Sequence, residues 1–136
     1  MQKMVAVTDE LIGMGLNAHI AEHYRELVAG KKQELQDMLD AGERAKVKQQ
    51  FSTFKLHYKN ILESDAILIV NDEKREIGNY IGGNVLIEMG QAFVNDKKIF
   101  FLNGMPEGLS YMDEIIAINP ICLEGNLEKL KEYKYN

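Results

Sequence analysis

The sequence predicts an α/β fold built on a short parallel sheet, and three observations carry that reading. Residues 66 to 70 (AILIV) and 98 to 102 (KIFFL) are unbroken apolar runs of strand length, as strands covered on both faces require. Between them, from about residue 84 to 94, Val85, Leu86, Met89, Ala92 and Phe93 recur at helical spacing. A strand, a helix and a second strand in that order make a crossover unit, and such units build parallel sheets with helices on their faces.

The remaining elements follow from periodicity and breakers. From Gln2 to Met14 the apolar residues Met4, Val7, Leu11 and Met14 mark an amphipathic helix that Gly13 and Gly15 end. Residues 16 to 21 (LNAHIA) are a short strand by composition. Residues 22 to 63 are charge-rich and carry two or three helical pieces separated at Gly30 and Gly42, the last running from about 44 to 64 with a stripe of Val47, Phe51, Phe54, Tyr58 and Ile61. The middle piece has few apolar anchors, which predicts a mobile excursion. After residue 102 come a turn at Asn103, Gly104 and Pro106, a helix over 111 to 117, a strand over 121 to 123 and a closing helix over 127 to 133. No linker, repeat or low-complexity tract divides the chain, so residues 1 to 136 read as one domain.

Composition narrows the function. A chain of 136 residues with 46% hydrophobic and 27% charged residues is ordinary for a globular domain. Folding at this length buries roughly 68% of the unfolded surface. The formal net charge of −5 argues against nucleic acid, because no basic field attracts a phosphate backbone. No apolar run approaches the roughly 20 residues that span a bilayer. One cysteine, Cys122, leaves no internal disulfide, and no basic segment followed by an apolar one opens the chain, so a reducing cytoplasm is expected.

Chemistry concentrates in residues 71 to 88. Ligands of open parallel sheets sit beyond the carboxyl ends of the strands. There Asn71 and Asp72 end a strand, and Gly78, Asn79, Tyr80, Ile81, Gly82 and Gly83 form a loop that allows close backbone approach and leads into a helix N-terminus. Unpaired N–H groups and the positive dipole end favour an anion or a polar sugar at such a terminus. Glu88 shares the helix stripe of Val85 and Ala92, an uncommon place for a carboxylate. It is a functional group or a paired structural one. Tyr80 offers a ring for stacking on a base or for covering its own loop. Asn71 and Asp72 contact a ligand or make an Asx-turn, and their place at the strand end favours the ligand.

The segment SDAILIVNDEKREIGNYIGGNVLIEMGQAFVNDKKIFFLNGMPE resembles the nucleoside 2-deoxyribosyltransferase-like superfamily, whose pattern is a strand opening with Asp, a loop, a helix with Glu-x-Gly-x-Ala, and a Lys before an apolar strand. Here the pieces are Asp65, Glu88, Gly90, Ala92 and Lys97 or Lys98, within about residues 60 to 123. The resemblance implies a three-layer, flavodoxin- or Rossmann-like α/β domain over residues 1 to 136. It implies Glu88 as the nucleophile that attacks the anomeric carbon of a 2-deoxyribosyl group, with Asp65 as a pocket carboxylate. Asn71, Asp72, Tyr80, Gly82, Gly83 and Asn84 are then the substrate-binding residues, and the substrate is a nucleoside or its 5′-monophosphate. A glutamyl ester of this kind passes the sugar to another base or to water, as in double-displacement glycoside hydrolysis.

The chain departs from that family in three places. It opens inside the expected first helix, as though the first strand and its small-residue loop, about ten residues, were lost. Gly82 stands where the transferases carry an Asp six residues before the nucleophile. Nothing matches the Asn that their neighbouring subunit supplies. The departures keep open a second reading, a catalytically silent nucleotide-binding or assembly module. A missing strand also predicts self-association into a homo-oligomer, since a sheet edge then needs cover, either from residues 16 to 21 or from a partner. No cofactor and no metal are expected: His19 and His23 have no third ligand nearby, and Cys122 reads as a small core residue. Lys31 and Lys32 are solvated surface.

Overall fold

The computed structural model describes residues 1–133. Its contacts gather into two compact units, Met1–Asn60 and the chain from Ile61 onward.

The first unit is helical. Helix α1 (Gln2–Gly13), α2 (Glu22–Val28), α3 (Gln33–Asp40), α4 (Arg44–Gln50) and the larger part of α5 (Thr53–Leu62) follow in order. The first three end alike. Gly15, Gly30 and Gly42 all stand at positive φ. Their N–H groups reach the carbonyls of Ile12, Leu27 and Leu39, and the next residue's N–H reaches back to Leu11, Glu26 and Met38. This is the Schellman closure, which needs one left-handed residue, and glycine adopts it without a Cβ penalty. Leu27, Leu35 and Val47, one from each of α2, α3 and α4, form a small core with Met38 and Leu39 packed against it. Leu35 thereby anchors the helix whose polar composition suggested a loose excursion.

Two expectations for this unit fail. Residues 16 to 21 form no strand. The Leu16 N–H closes α1, and the Ala18 N–H turns back to the Leu16 carbonyl at 3.0 Å, so two of the N–H groups a strand would offer to a neighbour are engaged locally. The helix expected over 44 to 64 is two. Ser52 takes φ 50° and its carbonyl accepts the first bond of α5 from Leu56 N–H. Ser and Thr compete with helical backbone bonding, and the Ser52–Thr53 pair restarts the helix instead of continuing it. The rotation at this break leaves Phe51, Phe54 and Tyr58 substantially exposed while Val47 and Ile61 are buried. Residues 22 to 63 therefore hold four helices.

The second unit carries the sheet. Strands β1 (Ala66–Ile69), β2 (Lys98–Phe101) and β3 (Ile121–Cys122) are parallel and lie in the order β1-β2-β3, with Ile69 opposite Phe101 and Phe101 opposite Cys122. Helices α6 (Gly83–Val94) and α7 (Met112–Ile118) make the two crossovers. Because both crossovers step in the same direction across the sheet, right-handedness puts both helices on one face. The core agrees. Ile69, Ile99 and Phe101 from the sheet pack with Ile81, Met89 and Ala92 around α6 and Ile115 of α7, and Ile61 joins them. Alternate residues face the other way: Phe100 is 1% exposed, and Tyr133 meets its ring edge-on at 5.1 Å. Both faces are thus buried, as the unbroken apolar runs require. The molecule is a mixed α/β protein with a short three-stranded parallel sheet flanked by helices, a Rossmann-like arrangement.

The closing helix differs from expectation. Leu127–Glu132 is a 3₁₀ helix, started by Asn126, whose side chain accepts from Glu128 N–H at 3.1 Å. A six-residue segment gains little from α-helical bonding and tightens into the shorter repeat.

Candidate functional site

At the carboxyl ends of β1 and β2, amide side chains hold the backbone together. Asn71 is 1% exposed. Its side-chain oxygen accepts from Asn103 N–H at 2.9 Å, and its NH₂ donates to the Gly104 carbonyl at 2.8 Å. Asn103 answers with its own NH₂, which donates to the Asn71 carbonyl at 3.0 Å and to the Asp72 carboxylate at 3.2 Å. The two strand ends are locked together. Asn71 is therefore turned inward, and its role at this end is to position the loop. Asp72 stays exposed on the rim.

The loop that follows is tied down in sequence. Lys74 and Ile77 exchange both backbone hydrogen bonds, at 3.1 and 3.0 Å, closing a two-residue hairpin whose tip residues Arg75 and Glu76 both take positive φ. Asn79 donates to the Met105 carbonyl at 3.2 Å, and Tyr80 N–H donates to the Asp72 carbonyl at 3.1 Å. Tyr111, from the start of the α7 region, donates its hydroxyl proton to the Ile81 carbonyl. Burial pushes the Tyr111 hydroxyl above its ordinary pKa, Tyr80 adds to the rise, and Arg75 opposes it. The Lys74 ammonium lies 5.9 Å from the centroid of the Tyr80 ring.

Helix α6 starts here. Gly82 is its extended N-cap and accepts from Leu86 N–H at 3.0 Å. Neither Gly82 nor Gly83 stands at positive φ. A Cβ added to Gly82 would meet Tyr80 at 3.5 Å, an ordinary contact, and one added to Gly83 would meet nothing within 4 Å. The backbone would accept a side chain at both positions, so the fold itself does not demand glycine there. Asn84, the second residue of the helix, is exposed. Glu88 follows five residues after Gly83, about 7.5 Å along the helix axis. It sits on the flank of the buried face formed by Met89 and Ala92, and it is half-buried, neither sealed in the core nor fully in water.

Asp65 is elsewhere. It precedes β1 and is exposed, and its carbonyl accepts from Lys98 N–H at the amino end of the sheet. The whole of β1 separates it from Asn71, about 20 Å of extended chain. The fold therefore does not bring Asp65 to the end where Tyr80, Gly82 and Gly83 meet. A cavity of about 290 Å³ also opens at the amino end, lined by Phe93, Lys98, Ile118 and Asn119 among others, away from the loop.

The remaining candidates are structural. Cys122 is half-buried against the core, and burial followed by Glu124 pushes its thiol upward. His19 is exposed in the coil before α2, and His23 lies in α2 stacked on His57 of α5, with ring centroids 5.9 Å apart. No group of three or more His, Cys, Asp or Glu side chains arranged to hold a metal occurs among the described residues. None of the helices searched is long and apolar enough to cross a membrane.

Sequence reading missed Asn103, Tyr111, Lys74 and Arg75. Tyr111 and Ile81 are thirty positions apart, and no local pattern announces a bond across that separation. Fold and loop together define a Rossmann-like α/β protein with a constrained loop at the carboxyl end of its sheet. No family model, curated protein or solved structure matches the chain.

Proposed function

We propose that the protein cleaves or transfers the N-glycosidic bond of a nucleoside or nucleoside 5′-monophosphate, with Glu88 as the nucleophile. The observation that carries this reading is a half-buried carboxylate one turn into a helix whose entry is two glycines that the backbone does not require. A carboxylate acting on an anomeric carbon must be within reach of the sugar, and Glu88 stands half-buried on the flank of α6 and not sealed in the core with Met89 and Ala92. Attack forms a glycosyl ester and releases the base; water or a second base then opens the ester and restores the carboxylate. The open space at Gly83 gives the sugar room against backbone, and Tyr80 and Asn84 stand at the same entrance. The edge of β1 opposite β2, which no strand covers among the described residues, supports self-association.

One observation favours a second reading, a silent nucleotide-binding or assembly module. Asp65 lies at the far end of β1, and paired catalytic carboxylates in retaining glycosidases stand only about 5–5.5 Å apart. Incubation with purine and pyrimidine deoxynucleosides and their monophosphates separates the two. Free base from the wild type and none from Glu88→Ala supports the enzyme. No base from the wild type, or equal release from the variant, supports the module.

A further inference from the structure

The cavity at the amino end of the sheet lies where α6 and α7 end and β2 and β3 begin. Ile99, Ile118 and Ile121 give it an apolar lining beside Phe93, which is 51% exposed. Its volume, about 290 Å³, stands at the small end of ligand pockets, so its occupant is a small molecule. Both signs of charge border it. Asp96, Lys97 and Lys98 all line the cavity, and the Lys97 ammonium donates to the Leu62 carbonyl at 3.2 Å, which leaves Lys98 as the available cation. Neither Asp96 nor Lys98 makes an ion pair among the described residues.

The two helix ends add acceptors. Helix carboxyl ends carry partial negative charge and favour a cation. Helices α1 to α3 close on left-handed glycines, whereas α6 and α7 close on Asp96 at φ 58° and Asn119 at φ 57°. An oxygen-bearing side chain thus stands at both helix ends that border the cavity, in a conformation glycine adopts more readily. Pro120 follows Asn119 and has no N–H with which to complete the closure of α7.

We propose that this cavity binds an α-amino acid with an apolar side chain, its ammonium held by Asp96 and the helix ends, its carboxylate by Lys98 and its side chain by Phe93 and Ile118. A lone anion would face Asp96 and two carbonyl ends, and a lone cation would face two lysines. A zwitterion matches both signs with charge-assisted hydrogen bonds. Neither Glu88 nor the loop before α6 takes part, so the site stands whether or not the protein acts on N-glycosidic bonds.

Calorimetric titration of the full chain with L-leucine, 4-methylpentanoate and 3-methylbutylamine tests this, the last two being leucine without its ammonium and without its carboxylate. Leucine is expected to bind about fivefold more tightly than either, the upper end of what one exposed charge pair contributes. Asp96→Gly, which suits the left-handed backbone, should weaken leucine about fivefold without weakening 4-methylpentanoate. Lys98→Gln should weaken leucine to a similar degree without weakening 3-methylbutylamine. Circular dichroism checks that each variant is folded. No leucine binding at millimolar concentration, leucine no tighter than either analogue, or an affinity that both variants leave unchanged overturns the proposal.

Discussion

A single buried amide organises the site end of the sheet, and removing it should be costly. Asn71→Ala removes the partner of the Asn103 N–H and of the Gly104 carbonyl, two part-buried groups bonded to a side chain that is itself buried. The expected loss is about 2–3 kcal/mol, read as a lower urea midpoint with an unchanged slope; a loss below about 0.5 kcal/mol would mean that the two strand ends hold without it. Gly83→Ala tests the opposite case. Alanine suits a helix better than glycine and meets nothing within 4 Å, so the melting temperature should hold or rise slightly, by up to about 0.5 kcal/mol of stability. Nucleotide affinity should fall, because the methyl group occupies the space proposed for the sugar. If the variant binds as well as the wild type, that space is not the ligand's. At this scale the sequence showed which residues were unusual and not which way they pointed. Glu88 stood out because a carboxylate on an apolar stripe is rare, and it lies on the flank of that stripe. Asn71 was read as a ligand contact, whereas a partner thirty-two residues away, invisible to local pattern, turns it inward.

The elements were legible wherever one signal was strong. Both long strands, α1, α6 and α7 lie within a residue or two of their expected bounds, because unbroken apolar runs and glycine stops are hard to read otherwise. Residues 16 to 21 and 44 to 64 were misread for one reason: weak alternation and a continuous stripe say nothing about local backbone bonding, which decided both. Helix α6 closes as α1 to α3 do, with Asp96 N–H bonded to the Phe93 carbonyl and Lys97 N–H to that of Ala92, but its left-handed residue is an aspartate at φ 58°. Asp96→Gly should therefore stabilise the protein by about 0.5–1 kcal/mol, measured by chemical denaturation. A destabilised variant would mean that the aspartate side chain contributes more than the conformation costs.

Across the whole molecule, acid sensitivity should arise in the helical unit. His23 stacks on His57 at 15° between ring planes, and the Tyr24 hydroxyl lies 3.5 Å from His57 Nε2. Burial lowers the pKa of His23, the positive charge available to His57 lowers it further, and Glu26 opposes both. The groups nearby on the packed helices are the Arg25–Asp9 and Lys32–Glu26 ion pairs. A base whose folded pKa lies below its unfolded value of 6.5 binds fewer protons in the native state. Stability is therefore full above pH 6.5 and declines as pH falls below it toward the folded pKa. Thermal melts across that window should show the decline, and His57→Gln should reduce it without abolishing it, because burial is the larger cause. A flat profile in the wild type would rule the pair out as the source. At this scale the fold class was readable and the division into two compact units was not, since no linker or change of composition marks residue 60.

The central claim is that Glu88 bonds to the sugar, and mass spectrometry of the α6 peptide tests it most directly. A slow 2′-fluoro deoxynucleoside substrate, and its 5′-monophosphate, lets a glycosyl ester accumulate. An adduct carried on Glu88, absent from Glu88→Gln, is the predicted result. Base released with no adduct on that peptide, at a rate the Glu88→Gln variant matches, would contradict it.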